Sequence, residues 1–482
     1  MALAGALVVA PALGFARRYP LLPNAGELTD IGKLAHYAPL EFAGYVGGLG
    51  LMFAGYFWGL WLCRRLPPRG ALPAVFGVAI VAALAMAWMY PVNAIDLFIY
   101  AVRSRIFTAH GANPLAVPPI AFPRDPLTRF ASVEWSDDVS PYGPLWTLIA
   151  APATAFAGRN LPHALLAFKA LAVVATLAGG WIAAHVAAID DPARAAGAAL
   201  LYLWNPLVLW EGIGNGHNDV VMMAIVLLAL LAWARRDDVW TIPLLVVAGA
   251  VKYVALALLP LAAVALWRGD APAEAGGFGR ADALRARLRL LLASALLSIA
   301  ALIVAFAPFY DLGAARASVE AQGDIALTSP AAIAIGMLNE RLPPPATGLW
   351  VRAASLGLFG IGLAIALVAV WRRPAAFVRA AFETMFLLLL VATWNFRPWY
   401  LIWLVALAAC LPLGWPATRA IVWSAGGLAG YALFIWGWDW TKWQWPTVQI
   451  AGVFLMTGPA VALTLAEGAA LAVGGKGVAG RG

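Results

Sequence analysis

Long, uninterrupted apolar runs recur along almost the whole chain, and they constrain its fold more than any single motif. Of its 482 residues, 63% are hydrophobic and only 12% are charged, whereas a soluble globular chain carries about 25% charged residues. Many runs reach the roughly 20 residues with which a helix crosses a bilayer. Because the runs are continuous and not alternating, they predict helices rather than the strands of a membrane barrel. The sequence therefore predicts an all-α, polytopic integral membrane protein, a single domain over residues 1–482 with about 12–14 transmembrane helices.

Arginine clusters in short loops between the apolar runs predict the orientation of the chain. Cytoplasmic loops are enriched in Lys and Arg, so the loop 64–69 and the loop 268–286 are expected in the cytoplasm. The long loops 92–141 and 309–348 are then expected on the outer side of the plasma membrane. The net charge of +8 follows from this topology and requires no nucleic-acid partner.

The stretch 142–267 conflicts with simple helix counting, which places Arg235 and Arg236 on the outer side. That placement breaks the rule for basic loops. A broken or re-entrant helix within this stretch removes the conflict and moves the loop 211–217 to the outer side, so we prefer it.

Asp96 is the most informative single residue, because it follows the apolar run that ends near residue 91. A charge at membrane depth costs roughly 2.5–3.5 kcal/mol on insertion scales, so it is kept where it has a use. Asp96, Tyr100 and Arg103 share one face at helical spacing, which predicts an interfacial amphipathic helix at the start of the loop 92–141. Tyr142, in SPYGPLW at 140–146, closes this loop. An interfacial helix with a solvated acidic loop is the plain alternative.

A second polar cluster interrupts the apolar runs between residues 204 and 223. Its polar residues are Glu211, Asn215, His217, Asn218 and Asp219. Glycines between them allow a tight turn, and a helix cap would explain one polar side chain. Capping does not explain all five, so the cluster is a candidate substrate site.

Two cations complete the candidates. Lys252 lies within an apolar run and must pair, reach water or lose its proton. The functional interpretation is that it holds an anionic lipid phosphate, and the plain alternative is a lysine that snorkels to an interface or pairs with a buried carboxylate. Arg397 stands beside Trp399 and Tyr400 at the end of another run. Trp and Tyr are enriched at membrane interfaces, so the plain interpretation of these rings and of the tryptophans at 436–445 is that they anchor the protein at the membrane surface. The alternative is that one or two of them stack on a sugar ring.

Motifs of several other enzyme classes are absent from the sequence. There is no Walker loop, no HExxH, no GxSxG and no Cys/His spacing of a metal site. The sequence thus does not support an ATPase, a metalloprotease or a serine hydrolase, and it predicts no metal ligands.

Taken in order, these segments resemble the GT-C class of polytopic glycosyltransferases, and within it the actinobacterial-type α-(1→6)-mannosyltransferases. The matching segments are Asp96 with Tyr100, GANPL at 111–115, SPYGPLW at 140–146, NPLVLWEGIGNGHND at 205–219, the Lys252 run and PWYLIW at 398–403. The resemblance implies that Asp96 lies at the catalytic centre and that the sugar, a mannosyl or other hexosyl unit, comes from a polyprenyl-phosphate donor. The acid pair of the wider class, Asp-x-Asp or Glu-x-Asp, is absent at Asp96, so a divalent metal stays an open alternative.

The resemblance leads to a mechanistic hypothesis in which Asp96 is the general base and His217 assists it or orients a hydroxyl. The acceptor is a hydroxyl of a glycolipid or glycan, and transfer inverts the anomeric centre. The residues expected to bind the donor phosphate are Arg103, Lys252 and Arg397. The residues expected to bind substrate are Tyr100, Tyr142, Glu211, Asn215, Asn218, Asp219, Trp399 and Tyr400. The alternatives are a transporter or flippase for a lipid-linked or small solute, and a transferase that uses another polyprenyl-phosphate sugar.

Overall fold

A computed structural model describes residues 1–269, 280–309, 311, 313, 316, 328–339 and 341–479. The described residues form helices and no strand, and one isolated bridge joins Pro20 to Met89. Much of the two predicted loops 268–286 and 309–348 lies outside the described residues.

The helical elements begin and end as follows. The longer helices are α1 Ala2–Arg18, α2 Pro39–Cys63, α3 Pro68–Ala87, α4 Asp96–His110, α5 Pro144–Ala157, α6 Leu161–Asp190, α7 Ala195–Leu203, α8 Asp219–Ala234, α9 Thr241–Val251, α10 Leu259–Arg268, α11 Arg280–Phe306, α12 Pro330–Asn339, α13 Pro344–Arg372, α14 Phe377–Leu387, α15 Leu401–Ala409, α16 Trp415–Tyr431 and α17 Trp445–Ala479. Three π-helical segments are Val208–Gly214, Leu388–Ala392 and Ala432–Gly437. The short α-helical turns are Leu21–Asn24, Ile31–Leu34, Ser132–Trp135 and Trp438–Thr441. The 3₁₀ turns are Pro119–Ala121, Thr128–Ala131, Pro192–Arg194, Asp238–Trp240, Tyr253–Leu258, Ala307–Phe309, Pro374–Ala376 and Pro398–Tyr400.

Eight helices in the described part of the chain are long and apolar enough to cross a membrane. The π-helical segment Val208–Gly214 and α8 pass the same test as a bent pair, and five shorter apolar helices of 10–17 residues accompany them. The prediction of an all-α polytopic membrane protein is confirmed.

Burial separates the centre of the bundle from its rim. In α6, 56% of the apolar membrane window is buried, whereas in α11 and α13 the share is 17%. Large apolar side chains on these two rim helices are exposed, among them Val304 at 69% and Ile365 at 66%. Because a lipid-facing surface is apolar, these faces are where the bundle meets the bilayer.

Helix α4 occupies an unexpected environment for an interfacial helix. It starts at Asp96, as the sequence predicts, but every residue from Leu97 to Ile106 is buried. The cause is the segment 112–142, which folds over α4, together with α5 and α6, which pack against it. The bond between Ser104 Oγ and Thr154 Oγ1 (2.8 Å) ties α4 to α5.

The predicted helix break within 142–267 is confirmed. The segment Val208–Gly214 and α8 meet at 114° across residues 215–218. Gly216 allows the turn, because its φ is +77° and an added Cβ would collide with the side chain of Leu97. The break leaves helix-end carbonyl groups without helical partners inside an apolar bundle.

The ammonium group of Lys169 satisfies these carbonyls. Lys169 is fully buried in α6, and its Nζ donates to the carbonyl oxygens of Met89 (2.9 Å), Ile213 (2.9 Å) and Gly214. A cation at a helix C-terminus also interacts favourably with the helix dipole. Lys169 therefore joins the end of the α3 region to the broken segment.

Replacing Lys169 by Met is expected to destabilise the protein by on the order of 3 kcal/mol, because buried carbonyls left without a donor cost about 1–3 kcal/mol each. The measurement is the thermal unfolding of the purified protein in detergent. Lys33→Met is the control, since the Lys33 side chain is 65% exposed and exposed substitutions change stability by about 0.5 kcal/mol or less. Equal melting temperatures for the two variants would contradict this role.

Candidate active site

The carboxylate of Asp96 lies at the first turn of α4, where the helix dipole favours a negative charge. Its side chain is 22% exposed. The hydroxyl group of Tyr142 donates to Asp96 Oδ1 at 2.7 Å, which fixes the carboxylate while leaving it accessible.

His217 lies between two carboxylates. Its Nδ1 is 4.0 Å from Asp96 Oδ1, and its Nε2 is 3.2 Å from Glu211 Oε2 without forming a hydrogen bond. The imidazole ring stacks on Trp399 with centroids 4.0 Å apart and 17° between the planes. His217 and Glu211 are fully buried, so this group of three connects the accessible Asp96 to the interior.

Asn93 and Asn215 hold the two sides of this group together. The Asn93 backbone N–H donates to Asn215 Oδ1 (3.3 Å), and Trp210 Nε1 donates to Asn93 Oδ1 (2.8 Å). Asn215 Nδ2 in turn donates to Glu211 Oε2 at 2.8 Å. The chain just before Asp96 is thereby bonded directly to the broken segment.

Asp219 and Lys252 form a second charged pair beside the first. Lys252 Nζ lies 2.8 Å and 2.9 Å from the two carboxylate oxygens of Asp219, and Trp403 Nε1 donates to Oδ1 at 2.6 Å. The ammonium group lies 4.8 Å from the centre of the Tyr400 ring. Of the alternatives that the sequence left open for Lys252, the structure therefore shows pairing with a buried carboxylate.

Lys252 stands at a second helix break. Its extended backbone (φ −149°, ψ 116°) separates α9 from the 3₁₀ turn Tyr253–Leu258. The Gly143 N–H donates to the carbonyl of Val251 at 3.0 Å, and an added Cβ at Gly143 would collide with the carbonyl oxygen of Ala250. This close approach brings Tyr142 and Lys252 to the same site.

Several buried polar atoms of this cluster have no hydrogen-bond partner among the described residues. They are Glu211 Oε1, His217 Nδ1, His217 Nε2, Asn218 Nδ2 and Asn218 Oδ1. The backbone N–H of Asn218 is satisfied, since it donates to the hydroxyl oxygen of Tyr100 at 3.2 Å. Buried polar atoms are normally paired, so a group of unpaired ones indicates a place for a hydroxyl-rich ligand.

The two arginines predicted to bind phosphate differ in their surroundings. Arg103 is 5% exposed, and its Nη2 donates to the carbonyl of Asp138 at 3.3 Å. Arg397 is half-buried, and its guanidinium lies 5.7 Å from the centre of the Trp399 ring. It forms no salt bridge with any carboxylate in the part of the chain described here.

Direct contacts join most of the predicted site residues. The connected residues are Asp96, Tyr100, Tyr142, Glu211, Asn215, His217, Asn218, Asp219, Lys252, Trp399 and Tyr400. Arg397 joins them through Trp399. Arg103 donates to the carbonyl of Asp138 and interacts electrostatically with Tyr142 and Asp96.

Sequence reasoning missed three residues of this site: Lys169, Asn93 and Trp403. Lys169 carried a usable signal, because it is a lone charge inside an apolar run, as Lys252 is. Asn93 and Trp403 carried none, since an asparagine before a helix and a tryptophan in an apolar run are ordinary.

The segment that covers α4 is held by a cluster around Asp125. Arg105 Nη2 lies 2.6 Å and His110 Nε2 lies 2.9 Å from Asp125 Oδ2, and the Leu127 N–H donates to Oδ1 at 2.9 Å. Burial raises the pKa of Asp125, but the hydrogen bonds from Arg105, Leu127 and His110 lower it more, so the pKa lies below its ordinary value.

A lowered carboxyl pKa stabilises the fold above its unfolded value of about 3.9, and this contribution is lost as the pH falls through the folded pKa. Asp125→Asn is therefore expected to lower the melting temperature at pH 7, and the difference from the unmodified protein should shrink below about pH 4. The control is Asp137→Asn, because Asp137 is exposed in the same loop. A difference that stays constant from pH 7 to about pH 3 would refute the assignment.

No group of three or more His, Cys, Asp or Glu side chains within the described residues is arranged to hold a metal ion.

The fold and the site define a polytopic α-helical membrane protein with a buried polar centre at a broken helix. The chain belongs to the family described as alpha-(1->6)-mannopyranosyltransferase, N-terminal domain, whose model matches residues 2–268. This range contains Asp96, the broken segment and Lys252, and it ends before Arg397. The resemblance inferred from the sequence is confirmed.

Three curated relatives carry the same type of name. Alpha-(1->6)-mannopyranosyltransferase A of Corynebacterium glutamicum is 30% identical over 139 residues, which is 28% of this chain and 27% of that protein. Alpha-(1->6)-mannopyranosyltransferase B of the same organism is 26% identical over 147 residues, 30% of this chain and 24% of that protein. Alpha-(1->6)-mannopyranosyltransferase A of Mycobacterium tuberculosis is 25% identical over 376 residues, 72% of this chain and 66% of that protein. The matches thus span about a quarter of the Corynebacterium proteins and 66% of the Mycobacterium protein.

Lys252→Met is expected to cost about 3–5 kcal/mol of stability, because it leaves the buried charge of Asp219 uncompensated. The double variant Lys252→Met with Asp219→Asn should recover much of this loss. Unfolding of the purified protein in detergent measures both. Arg285→Met serves as the control, since it breaks an exposed pair with Asp282 (side chains 70% and 51% exposed) and should cost at most about 1 kcal/mol. A double variant less stable than Lys252→Met would contradict the pairing energetics.

Proposed function

We propose that this protein transfers a mannosyl unit from a polyprenyl-phosphate donor to a hydroxyl group of a lipid-linked glycan, with inversion at the anomeric carbon. The observation that carries the proposal is the partly exposed carboxylate of Asp96, 4.0 Å from the buried His217. A base that is both accessible and held in place is what transfer to a hydroxyl requires. Membership of the mannopyranosyltransferase family supports the sugar.

The base acts on the acceptor. The acceptor oxygen attacks the anomeric carbon as its proton passes to Asp96, and the bond from that carbon to the phosphate oxygen breaks on the opposite side. A β-linked donor then yields an α-linked product. The Tyr142 hydroxyl group orients the carboxylate through its hydrogen bond, and the imidazole of His217 lies between this carboxylate and that of Glu211.

The donor phosphate departs with negative charge and needs a cation. Arg397 is the strongest candidate, because its charge has no carboxylate partner among the described residues and its guanidinium can bind two phosphate oxygens. Lys252 contributes a second positive charge, reduced by its contact with Asp219. Arg103, which faces Asp138, is the third candidate.

The sugar itself is proposed to lie against the unpaired polar atoms of the cluster. Glu211 Oε1 and the side-chain amide of Asn218 supply acceptors and a donor, and the rings of Trp399 and Tyr400 supply an apolar wall. Asn215, Asp219 and Tyr100 hold these groups in place rather than carrying the reaction.

We further propose that the site faces the outer side of the plasma membrane. Arg64 and Arg65 follow the end of α2, Arg372 is the last residue of α13, and Arg373 follows it. Basic residues mark cytoplasmic helix ends. The start of α4 lies one span beyond Arg65, at the opposite end of α3.

One feature also fits a transporter or flippase, because broken helices line the binding sites of many transporters, and here the break is 114°. Sugar transfer by purified protein in detergent separates the two functions, since transport needs two compartments and glycosyl transfer does not. Competition between different polyprenyl-phosphate sugars in the transfer assay shows whether the protein uses mannose or another hexose as the donor sugar.

Asp96→Asn is expected to reduce mannosyl transfer by about 10²–10⁴-fold, the usual contribution of general-base catalysis. The measurement is transfer from polyprenyl-phosphomannose to an α-mannoside by purified protein. Asp137→Asn, an exposed carboxylate in the same loop, is the matched control and should keep the full rate. If Asp96→Asn retains a rate near that of the control, Asp96 is not the base.

A further inference from the structure

A cavity separate from the proposed transfer site opens between the N-terminal segment and the π-helical end of α16. Its volume is about 390 Å³, and it is lined by Asp30, Tyr37, Phe434, Trp438, Asp439 and Lys442. We call it the aromatic pocket. Small-molecule sites have volumes of about 300–1,000 Å³, so the volume of the pocket falls within the range of a small-ligand site.

The walls of the aromatic pocket are held by internal bonds. Trp440 Nε1 donates to the carbonyl of Tyr37, and Trp438 Nε1 donates to the carbonyl of Trp443, each at 2.9 Å. Indole groups that only anchor a protein in a membrane point their N–H groups to water or headgroups. Here the N–H groups are used within the protein, and the ring of Trp438, 41% exposed, remains a preformed platform.

The backbone around the pocket is strained on both walls. His36, Tyr37 and Lys442 have φ angles of 49°, 51° and 53°, in the left-handed region that residues with a side chain seldom occupy. Such strain collects at ligand sites, and here it shapes both walls of one cavity.

The charges of the pocket favour an uncharged, hydroxyl-rich ligand. Lys442 Nζ lies 2.7 Å from Asp439 Oδ1, and Lys33 Nζ lies 3.6 Å from Asp30 Oδ2. Each carboxylate is thus balanced by an ammonium group, and neither a phosphate nor a cation finds a net opposite charge. Exposed carboxylate and ammonium groups beside an aromatic ring can instead bind hydroxyl groups, with the apolar face of a pyranose on the ring.

Short connections link the aromatic pocket to the transfer site. The Ile31 N–H, next to Asp30, donates to the carbonyl of Val92 at 2.8 Å, and the Asn93 N–H donates to Asn215 Oδ1 at 3.3 Å. The segment that lines the pocket and the residues before Asp96 are therefore neighbours in the fold. A chain of linked sugars with one end at Asp96 can extend toward the pocket.

We propose that the aromatic pocket binds a neutral hexopyranose unit of the acceptor glycan, away from the sugar that reacts. The assignment of this unit to an acceptor rests on the proposed transfer function, whereas saccharide binding by the pocket does not.

The test uses the full-length protein in detergent and α-(1→6)-linked mannotriose as the probe, with binding followed by calorimetry in the Asp96→Asn background so that no transfer occurs. Trp438→Ala and Asp30→Asn should each weaken binding about tenfold, the order expected for losing one aromatic contact or one good hydrogen bond. Trp350→Ala is the control, because Trp350 is 66% exposed on the rim helix α13, and it should bind as the Asp96→Asn protein does.

A kinetic readout addresses the acceptor role. In the Asp96-containing protein, Trp438→Ala should raise the KM for mannotriose relative to the KM for methyl α-mannoside, because the single sugar does not reach the pocket. Absent binding, or binding unchanged by both pocket substitutions, would overturn the pocket proposal. Pocket-dependent binding without any mannosyl transfer by the unmodified protein would overturn the proposed function and leave a saccharide site.

Discussion

The structure depends on one constraint: backbone polar groups inside a membrane bundle need partners, because lipid supplies none. The chain breaks a helix at residues 215–218, which would be prohibitive if the freed carbonyls faced hydrocarbon. Lys169 prevents this by donating to the carbonyls of Met89, Ile213 and Gly214 from within α6. The break is thereby part of the bundle's interior, and it places polar side chains where a continuous helix would place apolar ones.

The buried charges are grouped so that most compensate one another. Asp219 is matched by Lys252, and His217 stands between Asp96 and Glu211. Isolated charges at this depth would be far more costly than paired ones. The half-buried Arg397 escapes this balance, and several buried polar atoms of the cluster have no hydrogen-bond partner among the described residues. Substrate binding best explains both.

Sequence reasoning succeeded where a residue contradicted its surroundings. Asp96 stood out because it ends an apolar run, and the structure starts a helix at that residue. The five polar residues at 211–219 stood out because capping explained only one of them, and they form the broken segment. Lys252 stood out as a lone charge, although its pairing with Asp219 was one of several alternatives. For Arg103 the helical spacing from Asp96 was visible in the sequence, but the loop that buries its side chain and supplies the carbonyl of Asp138 could not be predicted from spacing.

The amino-acid sequence by itself determined the membrane-spanning class, the helical content and the positions where polar chemistry interrupts the apolar bulk, because each follows from local composition and periodicity. Only the tertiary structure decided which interruptions meet. Helices that are far apart in the chain pack side by side, and this packing brings together residues 96, 142, 217, 252 and 399. The distances between their side chains depend on tertiary packing rather than on any local sequence pattern. The same reason hid the aromatic pocket, at whose edge Trp440 and Tyr37 are joined by a hydrogen bond although they are 403 positions apart along the chain.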